Sequence, residues 1–349
     1  MNIFIDGQPI NFTKTDLSKD YVSHDADWKN NLLGILGAWH NNGSYSYGYQ
    51  GKGFLNLSTS GTTGSPKKIQ HSRETIEQVV SSNVKHFGIN KNSKILSYYS
   101  PRGIGFTVMA VYMAIISDCD VYIETFKGIN IVDRINAIKP THIPILLPNV
   151  WKTLHRHQRW QQLDLSSVDV LITGSDYTPI GMLDELRTHG PAKVYNAYGS
   201  TEVPPLVFYS EQENIYTKTD IIKEIDMKII DGELVCKWST QDNWWHSGDL
   251  VTGDMVEFKL SGRKNNMFKQ DEIRIFPEDI EKQVIKAGAE LVLCQQVGNR
   301  CVIHYTGEIE DMDQLNNSLS YVPRLRFKQV DDIKLDDNLR KIIRTQTFK

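Results

Sequence analysis

At 349 residues the chain is long enough for about two domains, and 40% hydrophobic with 23% charged residues is the composition of a folded chain with a sizeable core, which excludes a mainly disordered protein. With 39 Lys and Arg against 42 Asp and Glu, the formal charge of −3 excludes a protein that coats nucleic acid or seeks an anionic membrane by bulk charge. Cys119, Cys236, Cys294 and Cys301 form no C-x-x-C pair, so neither a disulfide framework nor a cysteine-rich zinc site is expected, and a reduced, cytoplasmic setting fits best.

The first residues, MNIFIDGQPINFTK, lack the basic start, apolar middle and small-residue cleavage site of a secretory leader, and read as a hairpin turning at Asp6-Gly7. From Ser72 onward, helical and extended patterns alternate. SRETIEQVVSSNVKHFG reads as a helix, KILSYYS as a strand, Phe106 to Ile116 as a buried helix and DVYIE as a strand. The apolar run FTVMAVYMAII is about half of the ~20 residues that cross a bilayer, so no membrane span is expected. Ile129 to Ile138 continues as a helix, HIPILL as a strand, Asn149 to His157 as a helix, and VDVLITG and KVYNAYG as strands. This alternation predicts an α/β sheet with crossover helices, and no fixed-period repeat suggests a solenoid. His155 and His157, two residues apart, cannot share a helix face, so they make no zinc site.

Beyond Glu202 the pattern turns β-rich, with Asp231-Gly232 in KIIDGELVCKW as a type I′ hairpin turn. The polar stretch SGRKNN, Ser261 to Asn266, predicts a hinge. The tail then reads as strand (IRIF), helix (Pro277 to Lys286), strand (LVLCQQV), a Gly298-Asn299 turn, strand (CVIHY), helix (Met312 to Leu319) and a last strand near FKQV. The expected fold is therefore α/β: a large N-terminal domain over residues 1–262, with sheet layers and a β-rich part, and a small, mobile α+β domain over residues 263–349.

Three segments carry chemistry. LSTSGTTGSPKK, Leu57 to Lys68, packs glycines, hydroxyls and lysines together. Gly61 and Gly64 let the backbone turn and expose N–H groups, and the Ser and Thr hydroxyls and Lys67 add donors and charge, which suits a phosphate cradle. The spacing is not that of a Walker A loop, which needs G-x-x-x-x-G-K-[ST] opening a helix. YNAYGSTE, Tyr195 to Glu202, is a strand ending in an aromatic, a glycine turn and an acid, the pattern of a ligand site at the carboxyl edge of a sheet. WWHSGDL, Trp244 to Leu250, places Asp249 after a glycine.

In this order the motifs resemble the ANL superfamily of adenylate-forming enzymes, which includes acyl- and aryl-CoA synthetases, peptide-synthetase adenylation domains and luciferases. The family's phosphate loop is similar to Ser58 to Lys67, its Y-G-x-T-E to Tyr198 to Glu202, its [ST]-G-D to Ser247 to Asp249, its G-R hinge region to Gly262-Arg263, and its I-x-P-x-[ED]-I-E to Ile275 to Glu281. The resemblance runs from about residue 57 to the C-terminus.

It implies ATP-dependent, AMP-forming activation of a carboxylic acid, with ATP and Mg²⁺ as cofactors. The acyl group would pass to a thiol, most readily CoA; a carrier protein, an amine or a hydroxyl is the alternative acceptor, and a non-catalytic nucleotide-binding protein of the same fold is the alternative reading. Attack of one anion on another needs charge neutralisation and in-line positioning more than a strong base, which suits these residue types. By the resemblance, Thr59, Ser60, Gly61, Thr62, Thr63, Gly64 and Lys67 would hold the β- and γ-phosphates. Thr201 would touch phosphate and Glu202 would hold the metal. Tyr198 would pack on adenine within the run Ala197, Gly199 and Ser200, with Asn196 near its amine and the Gly174-Ser175 backbone opposite. Asp249 would accept from both ribose hydroxyls, and Arg263 would assist at the ribose or phosphate. Lys341, in NLRKIIR with Arg344 in register, would reach the α-phosphate and carboxylate. Asn265 would be the hinge residue.

The departures are also informative. The stretch before the phosphate loop is short for the family, so part of the acyl pocket would be missing or supplied by a partner or a second copy of the chain. Lys269 to Arg274 (KQDEIR) contains no glycine where an acceptor's thiol arm would pass, and Asp271 and Glu272 add bulk and negative charge there. Arg340 replaces the glycine before the lysine. No acid follows the KILSYYS strand, which disfavours an α-amino acid substrate. Tyr98, Tyr99, Arg102, Tyr177 and Pro204 are candidate acyl-pocket residues by position.

Overall fold

The computed structural model describes all residues except 14–16, 26, 59–66, 99–102, 126–129, 157, 176–177, 180, 204–207, 218–224, 240–241, 272, 335–341, 343, 345 and 349. It is a mixed α/β chain built on several sheets. The largest has eight strands in the order Phe208–Ser210, Lys193–Tyr198, Val170–Gly174, His142–Leu146, Lys94–Ser97, Asp120–Ile123, Ile3–Ile5, Gln8–Pro9. Its six inner strands are parallel and the two outer ones antiparallel. The N-terminal hairpin forms as expected, with Asp6 and Gly7 at φ 47° and 78°, the left-handed pair that a type I′ turn requires.

The helices that cover this sheet follow local rules. Arg73–Phe87 starts at Ser72, whose side chain accepts from the Thr75 N–H, and stops at Gly88 in the left-handed conformation. The apolar run expected as a buried helix is buried from Phe106 to Ala114 while Ile116 at its end is exposed, and Gly105–Tyr112 winds as π-helical turns before Met113–Ser117 tightens to an α-helix ended by left-handed Asp118. Pro148–Arg156 begins one residue before the expected start.

Helix Trp28–His40 has no counterpart among the expected elements, although Leu32, Ile35 and Leu36 sit at helical spacing and are fully buried. Gly34 and Gly37 weaken its helical signature, and packing explains them: a Cβ on Gly37 would lie 2.0 Å from the Ser18 carbonyl, and one on Gly34 2.3 Å from the Tyr21 ring. Next to this helix lies a four-stranded sheet, Asp20–Ser23, Ser44–Tyr47, Leu55–Ser58 and Lys68–His71. Its last two strands pair antiparallel, with Ser58 opposite Lys68.

A five-stranded antiparallel sheet, Ile215–Thr217, Glu257–Arg263, Trp245–Gly253, Glu233–Trp238 and Ile225–Ile230, accounts for the β-rich middle. Asp231 and Gly232 turn its hairpin at φ 51° and 79°, as expected. Phe208 of the large sheet packs on Phe258 (ring centroids 5.1 Å) and Tyr216 (5.6 Å), joining the two sheets into one core.

The C-terminal residues build a separate core, in which Ile280 and Val284 of helix Pro277–Lys286 pack on Val292, Cys294, Cys301 and Ile303. These last four lie on strands Ala289–Val297 and Arg300–Gly307, which pair with Leu325–Gln329. All four cysteines are free and buried.

Candidate active site

Strands Val170–Gly174 and Lys193–Tyr198 run parallel with Gly174 opposite Ala197, so both carboxyl ends open on the same side. A Cβ on Gly174 would stand 2.5 Å from the Ala197 carbonyl, so a side chain there would force the two strand ends apart. Ser175 follows at φ 71°, turning the chain away. The end of the neighbouring strand presents Tyr198, whose hydroxyl donates to Asp249 Oδ2 at 2.6 Å. Burial, then the Asp249 charge, pushes the Tyr198 phenol well above its ordinary pKa, so it remains a donor.

Asp249 and Arg263 are cross-strand partners on adjacent antiparallel strands. Arg263 Nε donates to Asp249 Oδ1 at 2.7 Å, and Nη2 lies 3.5 Å from Oδ2. Asp249 is 7% exposed, so the strand register itself brings the counter-ion to a buried carboxylate. Burial works against the Arg263 charge, but Asp249, Tyr198, Glu202 and Glu278 together raise its pKa. That balance also places Glu202 within electrostatic reach of the cluster.

The cleft above these strand ends has a volume of about 250 Å³. Ser175, Ala197, Tyr198, Gly199, Asp249 and Arg263 line it. Glu278, Glu281 and Lys282 of helix Pro277–Lys286, with Ile342 and Arg344 of the C-terminal segment, line it as well. Lys282 Nζ donates to the carbonyls of Leu260 and Ser261 at 3.1 and 3.2 Å, docking the helix against strand Glu257–Arg263.

Asn196 is placed one residue pair away from the cleft-lining positions, and its amide is engaged within the protein. Its Oδ1 accepts from the Asn214 N–H at 2.6 Å and the Tyr216 hydroxyl at 3.1 Å, and its Nδ2 donates to Thr178 Oγ1 at 2.8 Å. Ser200 Oγ accepts from the N–H groups of Glu202 and Val203 at 3.1 and 3.0 Å, which bends the turn carrying Thr201 and Glu202. Lys67 is exposed at the start of strand Lys68–His71, Tyr98 is buried just past strand Lys94–Ser97, and Asn265 lies in the turn after Arg263. Thr59, Ser60, Gly61, Thr62, Thr63, Gly64, Tyr99, Arg102, Tyr177, Pro204 and Lys341 lie outside the described residues.

His71 was not singled out from the sequence. It ends the strand after the phosphate-loop motif, and its Nε2 lies 2.7 Å from the Thr201 carbonyl. A carbonyl only accepts, so Nε2 carries the proton, and the link ties the strand leaving the loop to the turn bearing Thr201 and Glu202. The available signal was its alternation with Ile69 in KIQH, which points both side chains to one face. Burial lowers the His71 pKa from 6.5 to about 4. The unfolded chain therefore takes up a proton first as pH falls, and stability present above pH 6.5 is lost between there and pH 4. The expected loss from this group is about 3 kcal/mol. Urea unfolding of wild type and His71→Gln at pH 7 and pH 4.5 checks it: the variant should show the shallower loss, and equal slopes would refute the assignment.

A family model described as AMP-binding enzyme matches residues 57–238, the stretch that contains the phosphate-loop motif and both strand ends at the cleft. The chain belongs to the AMP-binding family of adenylate-forming enzymes. The resemblance expected from the motifs is thus shown.

Among curated relatives, this AMP-binding protein is 23% identical over 256 residues to an indoleacetate–CoA ligase of Aromatoleum aromaticum, covering 64% of this chain and 50% of the relative. It is 24% identical over 185 residues to a feruloyl-CoA synthase of Amycolatopsis sp, covering 43% and 37%. The chain spans half or less of the length of these curated relatives.

Its fold is that of the O-succinylbenzoate coenzyme A synthetase of Bacillus subtilis in complex with AMP, with a TM-score of 0.78 at 14% identity over 99% of this chain and 94% of that one. A second structure of that enzyme, with ATP and a magnesium ion, superposes with a TM-score of 0.76 at 15% identity over 99% and 95% of the two chains. The anthranilate CoA ligase AuaEII with anthranoyl-AMP gives 0.69 at 15% identity over 83% and 66%. Among the described residues of this AMP-binding protein, no helix is long and apolar enough to cross a membrane.

Proposed function

We propose that the protein activates a carboxylic acid with ATP. The substrate carboxylate attacks the α-phosphorus, the bond to the bridging oxygen breaks, and pyrophosphate leaves behind an acyl-adenylate. A thiol then attacks the acyl carbon, giving a thioester and AMP, with the thiol proton passing to solvent. The observation that carries the reading is the Tyr198–Asp249–Arg263 cluster on the wall of the cleft. Asp249 accepts from Tyr198 at Oδ2 and from Arg263 at both oxygens, and a carboxylate held this way would receive the ribose hydroxyls by exchanging the long Arg263 contact for them. Tyr198 would lie against the adenine, with the Gly174-Ser175 backbone opposite. Ala197, Gly199 and Ser200 would shape the turn, with Asn196 acting through the network beneath it.

Thr59 to Gly64 and Lys67 would cradle the β- and γ-phosphates, with Thr201 alongside. No cluster of three or more metal-ligating side chains occurs among the described residues. A single carboxylate, Glu202, fits Mg²⁺ that arrives on the nucleotide and is held mainly by phosphate oxygens. Bound there, Mg²⁺ would neutralise phosphate charge. Residues 1–262 and 263–349 would act as two domains turning about Asn265.

CoA is the favoured acceptor. The relatives are named as CoA ligases, and Asp271, one of the acids that counted against CoA, pairs with Arg324 at 3.0 Å, which offsets its charge. The free thiols fit a reduced cytoplasmic setting, and a second copy of the chain would complete a shortened acyl pocket. Incubation with Mg²⁺-ATP and a panel of aliphatic, aromatic and dicarboxylic acids, with and without CoA, tests the reading. Acid-dependent pyrophosphate is expected, with AMP release accelerated by CoA. Absence of pyrophosphate with every acid, despite ATP binding, would overturn adenylation in favour of a non-catalytic nucleotide-binding role.

A further inference from the structure

We infer that Arg344 is a positioning residue: by pairing with Glu281 it sets the register of the C-terminal segment at the cleft and so delivers Lys341 to the reacting phosphate. The second half of this statement rests on the adenylation reading above; the first does not.

Arg344 Nη1 and Nη2 donate to Glu281 Oε1 and Oε2, each at 2.9 Å, the two-point geometry that an arginine and a carboxylate allow. Glu281 is 8% exposed on helix Pro277–Lys286, and its Oε1 also accepts from the Cys294 N–H at 2.8 Å. Burial raises its pKa while Arg344 opposes that rise, so the ionised form depends on the guanidinium. Glu278 adds a second carboxylate 3.5 Å from Nη2.

The backbone around Arg344 is fastened as well. Gln295 Nε2 donates to the carbonyls of Arg344 and Gln346 at 2.6 and 3.2 Å. Gln346 and Lys334 exchange two hydrogen bonds, Lys334 N–H to Oε1 at 2.9 Å and Nε2 to the Lys334 carbonyl at 3.2 Å. Phe348 stacks on His304 at 3.9 Å, and Ile342 packs with Leu291, Leu293 and Ile333.

Register is what the ion pair adds to these contacts. Apolar and backbone contacts tolerate a shift of the segment, whereas a one-residue slip would set Ile343 or Thr345 against Glu281 and leave a buried carboxylate without its cation, which is strongly unfavourable. Ile342 and Arg344 both line the cleft with Asp249 and Arg263, and Lys341 is bonded directly to Ile342.

The test compares full-length wild type, Arg344→Ala, Arg344→Lys and Glu281→Gln. Hydrogen exchange of the backbone amides from Ile342 to Gln346 reads the anchoring without reference to activity, and thermal melting confirms that each variant is folded. Arg344→Ala is expected to exchange these amides faster by tenfold or more, since a buried pair is broken. Its kcat for acid-dependent ATP–pyrophosphate exchange should fall about 100-fold, with KM for ATP changed no more than about threefold, the mark of misplacement of a reacting group. Millimolar guanidinium should restore part of that rate; Arg344→Lys and Glu281→Gln should fall between. Unchanged exchange in Arg344→Ala overturns the anchoring. Faster exchange with undiminished kcat, or a loss confined to KM, overturns the positioning role. If wild type adenylates no acid, the fault lies with the adenylation reading, and the exchange result alone decides whether Arg344 sets the tail.

Discussion

Lys341→Ala is expected to lower acyl-adenylate formation about 100- to 1000-fold while leaving ATP affinity within about a factor of two. When a carboxylate approaches the α-phosphorus, two anions meet and negative charge builds on the phosphate oxygens. A lysine brought up at that stage stabilises the transition state more than the bound nucleotide, so its loss appears in kcat. Lys341 is bonded to Ile342, which lines the cleft together with Tyr198 and Asp249. Lysine suits this position as a compact charge on a flexible stem. Pyrophosphate exchange for the rate and calorimetric titration with ATP for the affinity check it. An unchanged rate would remove Lys341 from the reaction, and a parallel loss of ATP affinity would make it a ground-state contact instead.

Asp249→Ala acts at the other end of the nucleotide, and a fall in ATP affinity of about 30- to 100-fold is expected, the loss of one or two hydrogen bonds to a charged acceptor. Part of that loss comes from the apo protein. Without Asp249 the Tyr198 hydroxyl loses its acceptor, and Arg263 loses the partner that strand register sets against it. Asp249→Asn separates the two contributions, because the amide oxygen can still accept from Tyr198 while the charge that faces Arg263 and the ribose is gone; an intermediate affinity is expected. The measurement is calorimetric titration with ATP alongside thermal melting. A drop in melting temperature with unaltered ATP affinity would make the cluster structural and count against the ribose role.

Much of the site was legible because adjacent residues write it. The glycines and hydroxyls of Ser58 to Lys67, the YGSTE turn and Ser247-Gly248-Asp249 each announce a backbone or donor requirement over a few positions. His71 and Glu281 were harder. Nothing beside His71 in the chain shows that it meets Thr201, 130 positions away, and Glu281 meets Arg344 across 63. Asn196 shows the converse: its place beside Tyr198 suggests adenine, while the fold surrounds it with Thr178, Asn214 and Tyr216.

The sequence by itself determined the features that depend on backbone preference within a few residues. These are the left-handed Asp6-Gly7 and Asp231-Gly232 turns, the Ser72 and Gly88 caps, the alternation of helix and strand, and the motifs that mark an adenylate-forming enzyme. Tertiary structure decided what depends on the path of the whole chain: helix Trp28–His40, whose glycines make sense only against Ser18 and Tyr21; the order of the eight strands; and the meeting of Tyr198, Asp249 and Arg263. Turn and cap preferences are short-range steric and hydrogen-bond terms, so a few residues suffice to express them. Contacts between distant segments are selected by burial and register over the entire core, and no local stretch of sequence carries that information.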